Sequence, residues 1–248
     1  LSYNMIKVSK DESGINHVKC YVTEFTDSMG YCEYKIPFFA KGDYVKTEAM
    51  IIGGQFHKEA EDFDRETAIT EPLTKMELET KTEDIEFVRE DISTIFIHDF
   101  NFPKGKTRLT LSGRADNVYR SEETLVISDD KHTNRPEKHD NRTKPYNDNL
   151  LQVLTYLYSK FDLGDSFGGW SEIPHKAKSY KINIIDQKTK ATYKTYQEIV
   201  SKKHEEFLFD YASLFTQKCL QWDALKHHNM KAKCKPCGYF GRCEHELR

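Results

Sequence analysis

The 248-residue chain is 38% hydrophobic, 12% aromatic and 31% charged, enough for a packed core under a well-solvated surface. Its length admits one large domain, or one domain with a small appendage. It contains no run of about 18 apolar residues that would span a membrane, and the stretch from Leu1 to Lys7 lacks a signal peptide's apolar segment, so a cytoplasmic protein is expected.

In chain order, a strand and a polar turn from Ser9 to Gly14 come first, then an alternating run from Val18 to Phe25 that holds Cys20. The segment from Ser28 to Phe39 carries Cys32. From Lys46 to Phe63, the residues Ala49, Ile52, Phe56, Ala60 and Phe63 make a helical apolar stripe with His57 beside it. Residues 64–100 are acidic and periodically apolar, and predict a helix or loop followed by a strand. Phe102 to Thr107 is a turn into the next strand. It contains Gly-Lys-Thr but lacks the upstream glycine of a phosphate loop and precedes a strand, which excludes a nucleotide site of that kind.

Residues 107–120 and 123–132 predict two strands joined by a tight hairpin. Asp116 lies in the first strand, and Asp129, Asp130 and Lys131 end the second. Antiparallel neighbours bring distant carboxylates together, and such a hard oxygen site suits Mg²⁺ or Mn²⁺. Side chains at i and i+2 leave a strand on one face, so Asp129 and Lys131 point together and Asp130 points away. A metal-held carboxylate beside an ammonium suits phosphodiester hydrolysis. After a polar span from Thr133 to Pro145, read as a flexible loop over the cleft, Leu150, Leu154, Leu157 and Phe161 form the apolar stripe of a helix. Gln152 and Tyr156 fall on its opposite side, one turn apart, where both can face the metal site or a nucleic-acid strand.

Gly164 to Gly169 marks a further turn. Tyr180–Ile185 and Ala191–Tyr196 predict a second hairpin turning at residues 187–190. A long helix follows from Glu198 to about Lys226, with Leu208, Ala212, Phe215, Cys219 and Trp222 as its stripe. Six cysteines in a cytoplasmic chain argue against a disulfide framework. Cys20 and Cys219 suit core packing. Cys234, Cys237 and Cys243 cluster among Pro236, Gly238 and Gly241, and need a fourth ligand. Cys32 or Cys20 would supply it from afar and His245 locally, with zinc or iron–sulfur both compatible.

The net charge of −3 is unevenly spread. Residues 59–99 hold fourteen acidic and four basic side chains, whereas 131–144 hold five basic and two acidic, and 224–248 six basic and two acidic. The positive segments adjoin the carboxylate and cysteine clusters, where phosphate would approach.

The order Gly113-Arg-Ala-Asp116, Asp129-Asp130-Lys131, Gln152-Val-Leu-Thr-Tyr156, with Gly53-Gly-Gln-Phe-His57 upstream, resembles the RecB-like branch of the PD-(D/E)xK nucleases. Cys-x2-Cys-x5-Cys at Cys234, Cys237 and Cys243 resembles its iron–sulfur members, most closely the stand-alone CRISPR-associated exonucleases. Glu33 stands where proline is usual in the family's N-terminal cysteine element. The resemblance implies an α/β restriction-endonuclease-like core, a mixed sheet flanked by helices, plus an iron–sulfur cluster region. It implies one domain over 1–248, with 1–45 and 227–248 joined at the cluster. His57, Asp116, Asp129 and Asp130 (through its carbonyl) would hold the metal. Asp116, Asp129, Lys131, Gln152 and Tyr156 would form the catalytic set, and Cys32, Cys234, Cys237 and Cys243 would bind a 4Fe–4S cluster. The expected activity is a single-stranded DNA exonuclease, often 5′-to-3′, in CRISPR spacer acquisition with integrase proteins or in DNA repair. A non-catalytic DNA-binding or scaffold subunit with a zinc or iron–sulfur knot is the alternative.

Overall fold

A computed structural model describes residues 5–45, 51, 86–120, 124–163, 169–222, 225–228 and 230–248, and only the backbone over 86–91. The chain opens with β1 (Lys7–Lys10) and β2 (Asn16–Tyr21), then α1 (Val22–Thr26), a π-helical turn (Asp27–Tyr31) and α2 (Lys35–Ala40). Three long strands follow, β3 (Glu86–Phe102), β4 (Gly105–Arg120) and β5 (Thr124–Thr133). After α3 (Asn147–Leu157) come the short strands β6 (Lys160–Asp162) and β7 (Trp170–Ser171), the hairpin β8 (Ala177–Asp186) and β9 (Thr192–Ile199), then α4 (Lys202–Leu220) and α5 (Lys231–Cys234).

One mixed sheet runs β7-β6-β3-β4-β5-β8-β9, with β2 added beside β4 and β1 beside β2. Alternation explains the long strands. In β4, Thr107, Leu109, Leu111 and Ala115 are buried, as are Ile92, Thr94 and Phe96 of β3, which pair with Ala115, Gly113 and Leu111. The β3–β4 turn at Pro103-Lys104 is where the sequence places it. Gly105 takes φ 121° there, a conformation open to glycine and strained for other residues. The parallel pairing of β5 with β8 buries Leu125 and Ile127 beside Tyr180 and Ile182.

Helix α3 departs from the expected amphipathic form. It ends at Leu157, and Phe161 belongs to β6. Leu151, Val153, Leu154, Thr155, Tyr156 and Leu157 are all buried, because the helix is enclosed on several sides rather than resting on one. The π-helical turn presses on its start, where a Cβ on Gly30 would lie 2.5 Å from the Asp148 nitrogen. Helix α4 is shorter than its apolar stripe predicts. Glu198 is still in β9, and the helix starts after Ser201, whose backbone N–H donates to His204 Nδ1 at 3.1 Å. Leu208, Ala212, Phe215 and Cys219 are buried as expected, whereas Trp222 lies beyond the helix and is 43% exposed. The β8–β9 turn is organised by Asp186, which accepts from Lys188 N–H and Thr189 Oγ1. The turns at 121–123 and 164–168 and the helix expected over 46–63 lie outside the described residues, Ile51 excepted.

Candidate active site

Strand β3 covers one edge of β4 along its length, but two strands share the other edge. β2 pairs in parallel with Thr107 to Ser112, and β5 antiparallel with Asn117 to Arg120. Between Ser112 and Asn117 the edge changes neighbours, and beside this fork opens a cavity of about 590 Å³. Asp116, Asp129, Asp130, Lys131, Gln152 and Tyr156 all line it. Past Ser128, β5 leaves β4 but stays paired with β8 as far as Thr133, so β8 holds Asp129 to Lys131 in place.

Strand alternation then sorts the charges. Asp129 and Lys131 share a face with Leu125 and Ile127. Lys131 Nζ lies 2.8 Å from Asp129 Oδ2, and donates to Asp129 Oδ1 at 3.0 Å and to Gln152 Oε1 at 2.9 Å. Gln152 Nε2 in turn donates to the Tyr156 hydroxyl at 3.2 Å. Asp130 points the other way and accepts from Asn183 Nδ2 at 2.8 Å. The Asp130 N–H donates to Asp116 Oδ2 at 3.4 Å, which ties the two strand ends together. Gly113 makes room for this network: a Cβ there would stand 2.8 Å from the Tyr156 ring and 2.9 Å from a Val22 methyl.

Asp129 is fully buried, and burial drives its carboxyl upward. Lys131 pulls it down and Asp116 pushes it up again, leaving it at about 7. Burial opposes the charge on Lys131, but Asp129 and Asp116 outweigh it and hold the ammonium above the usual lysine value. Burial raises the Tyr156 phenol and keeps it neutral. Among the described residues, the Asp129 Oδ2 atom has Lys131 Nζ at 2.8 Å but no partner in hydrogen-bond geometry. Buried oxygens in that condition cost free energy unless a further group satisfies them. A divalent cation fits that need, and two carboxylates with a backbone carbonyl are a hard-oxygen donor set suited to Mg²⁺ or Mn²⁺. His57 lies outside the described residues.

Two expectations about this region change. The Thr133–Pro145 span is not a loose flap. It contains a 3₁₀ turn (Pro136–His139), and Lys194 Nζ on β9 donates to the carbonyls of His139, Asp140 and Arg142 at 2.6, 3.2 and 2.7 Å. His139 Nδ1 also meets the Tyr196 hydroxyl at 3.0 Å, so the span is docked on β9 and contributes no residue to the cavity lining. Tyr156 is only 3% exposed, so of the two roles open to it in the sequence, facing the site or facing a nucleic-acid strand, the second is removed. Sequence reasoning missed the exposed rings at the cavity, Tyr21 at 59% and Trp170 at 46%. Lone exposed aromatics carry no periodic signal.

At the other end of the fold, Cys32, Cys234, Cys237 and Cys243 line one small pocket, together with His227 and His228. Burial pushes the Cys32 thiol up to about 11 and raises Cys243 as well. The chain ends are tied around this pocket. The Tyr31 hydroxyl donates to the Lys233 carbonyl, Tyr239 to the Asp43 carbonyl at 2.6 Å, and Arg242 pairs with Asp43. Phe38 stacks on Tyr239 at 4.1 Å. Glu33 serves the same junction, meeting Lys218 Nζ at 3.2 Å and accepting from Lys226 N–H at 2.6 Å. His245 stacks on Tyr34 at 3.9 Å and does not line the pocket, while Cys20 and Cys219 are buried in the core. His227 and His228 were missed, although His-His-x5-Cys-x2-Cys is a readable spacing. The Nδ1 atom of His228 accepts from Met230 N–H at 2.9 Å. The His228 Nε2 faces Cys234 Sγ at 3.8 Å, and the ligand atoms of Cys32, His227 and His228 lie within 4.8 Å of one another, a group that could hold a metal ion.

A family model described as the PD-(D/E)XK nuclease superfamily matches residues 57–244. Among solved structures, the crystal structure of SSO0001 aligns over 97% of this chain and 90% of that chain, with a TM-score of 0.50 at 13% identity, a likeness of fold alone. No curated protein matches the sequence.

Asp129 gives the metal-free protein a pH signature. Its carboxyl has an ordinary value of 3.8 and sits at about 7 in the fold. Below the lower value the proton is bound in both states and the group's contribution is fully present. Between the two values only the folded state holds the proton, so that stability is lost as pH rises toward about 7. Melting curves of wild type and Asp129→Asn in chelator should therefore diverge, the wild type losing ground from about pH 4 to 7. Parallel pH profiles would contradict the assignment.

Proposed function

This chain belongs to the PD-(D/E)XK nuclease superfamily, and we propose that it is a Mg²⁺- or Mn²⁺-dependent deoxyribonuclease that degrades single-stranded DNA as an exonuclease. The observation that carries this reading is the convergence of Asp116, Asp129 and Lys131 in one polar cavity at the fork of β4. Asp116, Asp129 and the Asp130 carbonyl would hold the metal, joined by His57 from the stretch outside the described residues. When bound, such an ion polarises the phosphate and lowers the pKa of water.

The chain's own groups supply the rest. Lys131 is held cationic by its carboxylate neighbours, and offers an ammonium that orients the attacking water and meets charge developing on the phosphate. Gln152 fixes the direction of that ammonium, and the neutral Tyr156 hydroxyl braces Gln152. Asn183 holds the Asp130 side chain away, so a role for Asp130 at the metal would fall to its carbonyl. Support for an unpaired substrate comes from Tyr21 and Trp170, since only unpaired bases have free faces to stack on exposed rings.

We assign Cys32, Cys234, Cys237 and Cys243 to a 4Fe–4S cluster that fastens residues 1–45 to 227–248, so that 1–248 fold as one nuclease domain. Four thiols on one pocket are the donor chemistry for it. The 5′-to-3′ polarity, the integrase partners and the setting in CRISPR spacer acquisition or DNA repair follow from the family resemblance, and belong to the same proposal. Among the described residues no helix is long and apolar enough to cross a membrane.

On end-labelled single-stranded DNA with Mg²⁺, Asp129→Asn and Lys131→Ala should each lose about 100-fold or more in rate with the fold intact, the scale seen when one charge-stabilising group is removed. Blunt duplex of the same sequence should be cut more slowly, and added salt should weaken binding. Wild-type rates in both variants would sink the assignment and leave a DNA-binding subunit. For the cysteine centre, protein purified without oxygen should be brown, and Cys32→Ser should lose both colour and thermal stability. A colourless wild type carrying stoichiometric zinc would replace the cluster with a zinc site.

A further inference from the structure

Among the described residues, the sheet near the fork has a covered face and an open one. Helices α3 and α4 cover the first, where Tyr156 meets Gly113 and Phe209 packs on Phe96. Strand register identifies what stands on the second. Tyr21 pairs with Ser112 across β2 and β4, and Ser93 with Arg114 across β3 and β4. Phe161 of β6 pairs with both Thr94 and Ser171, and Asp162 pairs with Trp170. Asp162 therefore adjoins Ser93, and Trp170, Asp162, Ser93 and Arg114 form a row across four strands. Ser112 is two residues from Arg114, so it projects from the same face and brings Tyr21 with it.

This row is exposed where it must be and low where it must be. The rings of Tyr21 and Trp170 are 59% and 46% exposed at its two ends, and between them lie the small side chains of Ser93 and Ser112 together with Asp162 and Arg114. Tyr21, Ser93, Ser112, Arg114 and Trp170 all line the cavity that holds Asp116 and Asp129. Four strand spacings of about 4.8 Å separate β2 from β7, so the two ends stand roughly 19 Å apart. At a stacked rise of about 3.4 Å, that spans about six nucleotides.

We propose that this open face is the binding track for single-stranded DNA. Its unpaired bases stack on Tyr21 and Trp170, its backbone crosses the serine floor beside Arg114, and it passes the fork where Asp116 and Asp129 stand. Bases inside a duplex are stacked on both faces and offer neither to a ring, so the track selects against duplex. The inference rests on the nuclease reading for the fate of the strand, but not for its binding.

The chain has two tryptophans, Trp170 and Trp222, which makes binding visible by fluorescence. In chelator, where no metal supports cleavage, a short oligothymidylate should quench the emission of wild type and of Trp222→Phe. Trp170→Phe should lose the quenching and keep the affinity. Trp170→Ala and Tyr21→Ala should each weaken oligothymidylate binding about tenfold, the usual scale for one base–aromatic stack, while blunt-duplex binding stays unchanged. With Mg²⁺, Trp170→Ala should raise KM and leave kcat in place. Wild-type affinity in Trp170→Ala, or an equal loss toward duplex, would overturn the track. A protein that binds and is quenched but cuts nothing would leave the track standing and remove the nuclease reading.

Discussion

Two strands cannot occupy the same stretch of one strand's edge, and the centre of this protein follows from that limit. β2 holds β4 as far as Ser112, β5 takes over at Asn117, and the interval carries Gly113 to Asp116. Because β2 gives way to α1 there and β5 has already turned to β8, the interval becomes a cavity wall rather than a ladder. The same departure frees Asp129 to Lys131 from β4 while the parallel ladder with β8 keeps them rigid. A glycine at the first position of the interval lets Tyr156 close against the strand, and that contact sets how near Gln152 and Lys131 come to the carboxylates.

Electrostatics make this arrangement costly without a ligand. Asp129 is buried beside a second carboxylate, and its ion pair with Lys131 offsets only part of the desolvation. Packing alone would favour apolar residues here. Two acids, a lysine and an amide in one chain of contacts would be relieved by an added positive charge, as the proposed metal would supply. The second concentration of donor groups is the thiol pocket, where contacts between residues 31–43 and 226–242 create a site that neither segment has alone.

The legibility of the sequence follows the range of the interactions. The two-residue period of a strand separates Asp129 and Lys131 from Asp130, and a hairpin explains how Asp116 and Asp129 meet, so these were readable. The fork was not, because the parallel pairing of β2 with β4 joins segments about ninety residues apart and leaves no local mark. Non-local contacts also account for the misread loop: its polar composition suggests mobility, but Lys194 and Tyr196 on β9 anchor it. Enclosure of α3 buried Tyr156, which an amphipathic reading had left accessible. The overlong helix from Glu198 is different, since Ser201 and His204 are a capping pair whose spacing was there to be read. Cys32 was readable as a partner of the C-terminal cysteines only through family resemblance, whereas His227 and His228 had a spacing of their own.

The most direct test is Mn²⁺ binding measured by calorimetry on wild type, Lys131→Ala and Asp129→Asn, without DNA. The account predicts that wild type and Lys131→Ala both bind the ion, because the lysine is not a donor to it, and that Asp129→Asn does not. Wild-type Mn²⁺ affinity in Asp129→Asn would contradict the claim that the fork of β4 is a metal site.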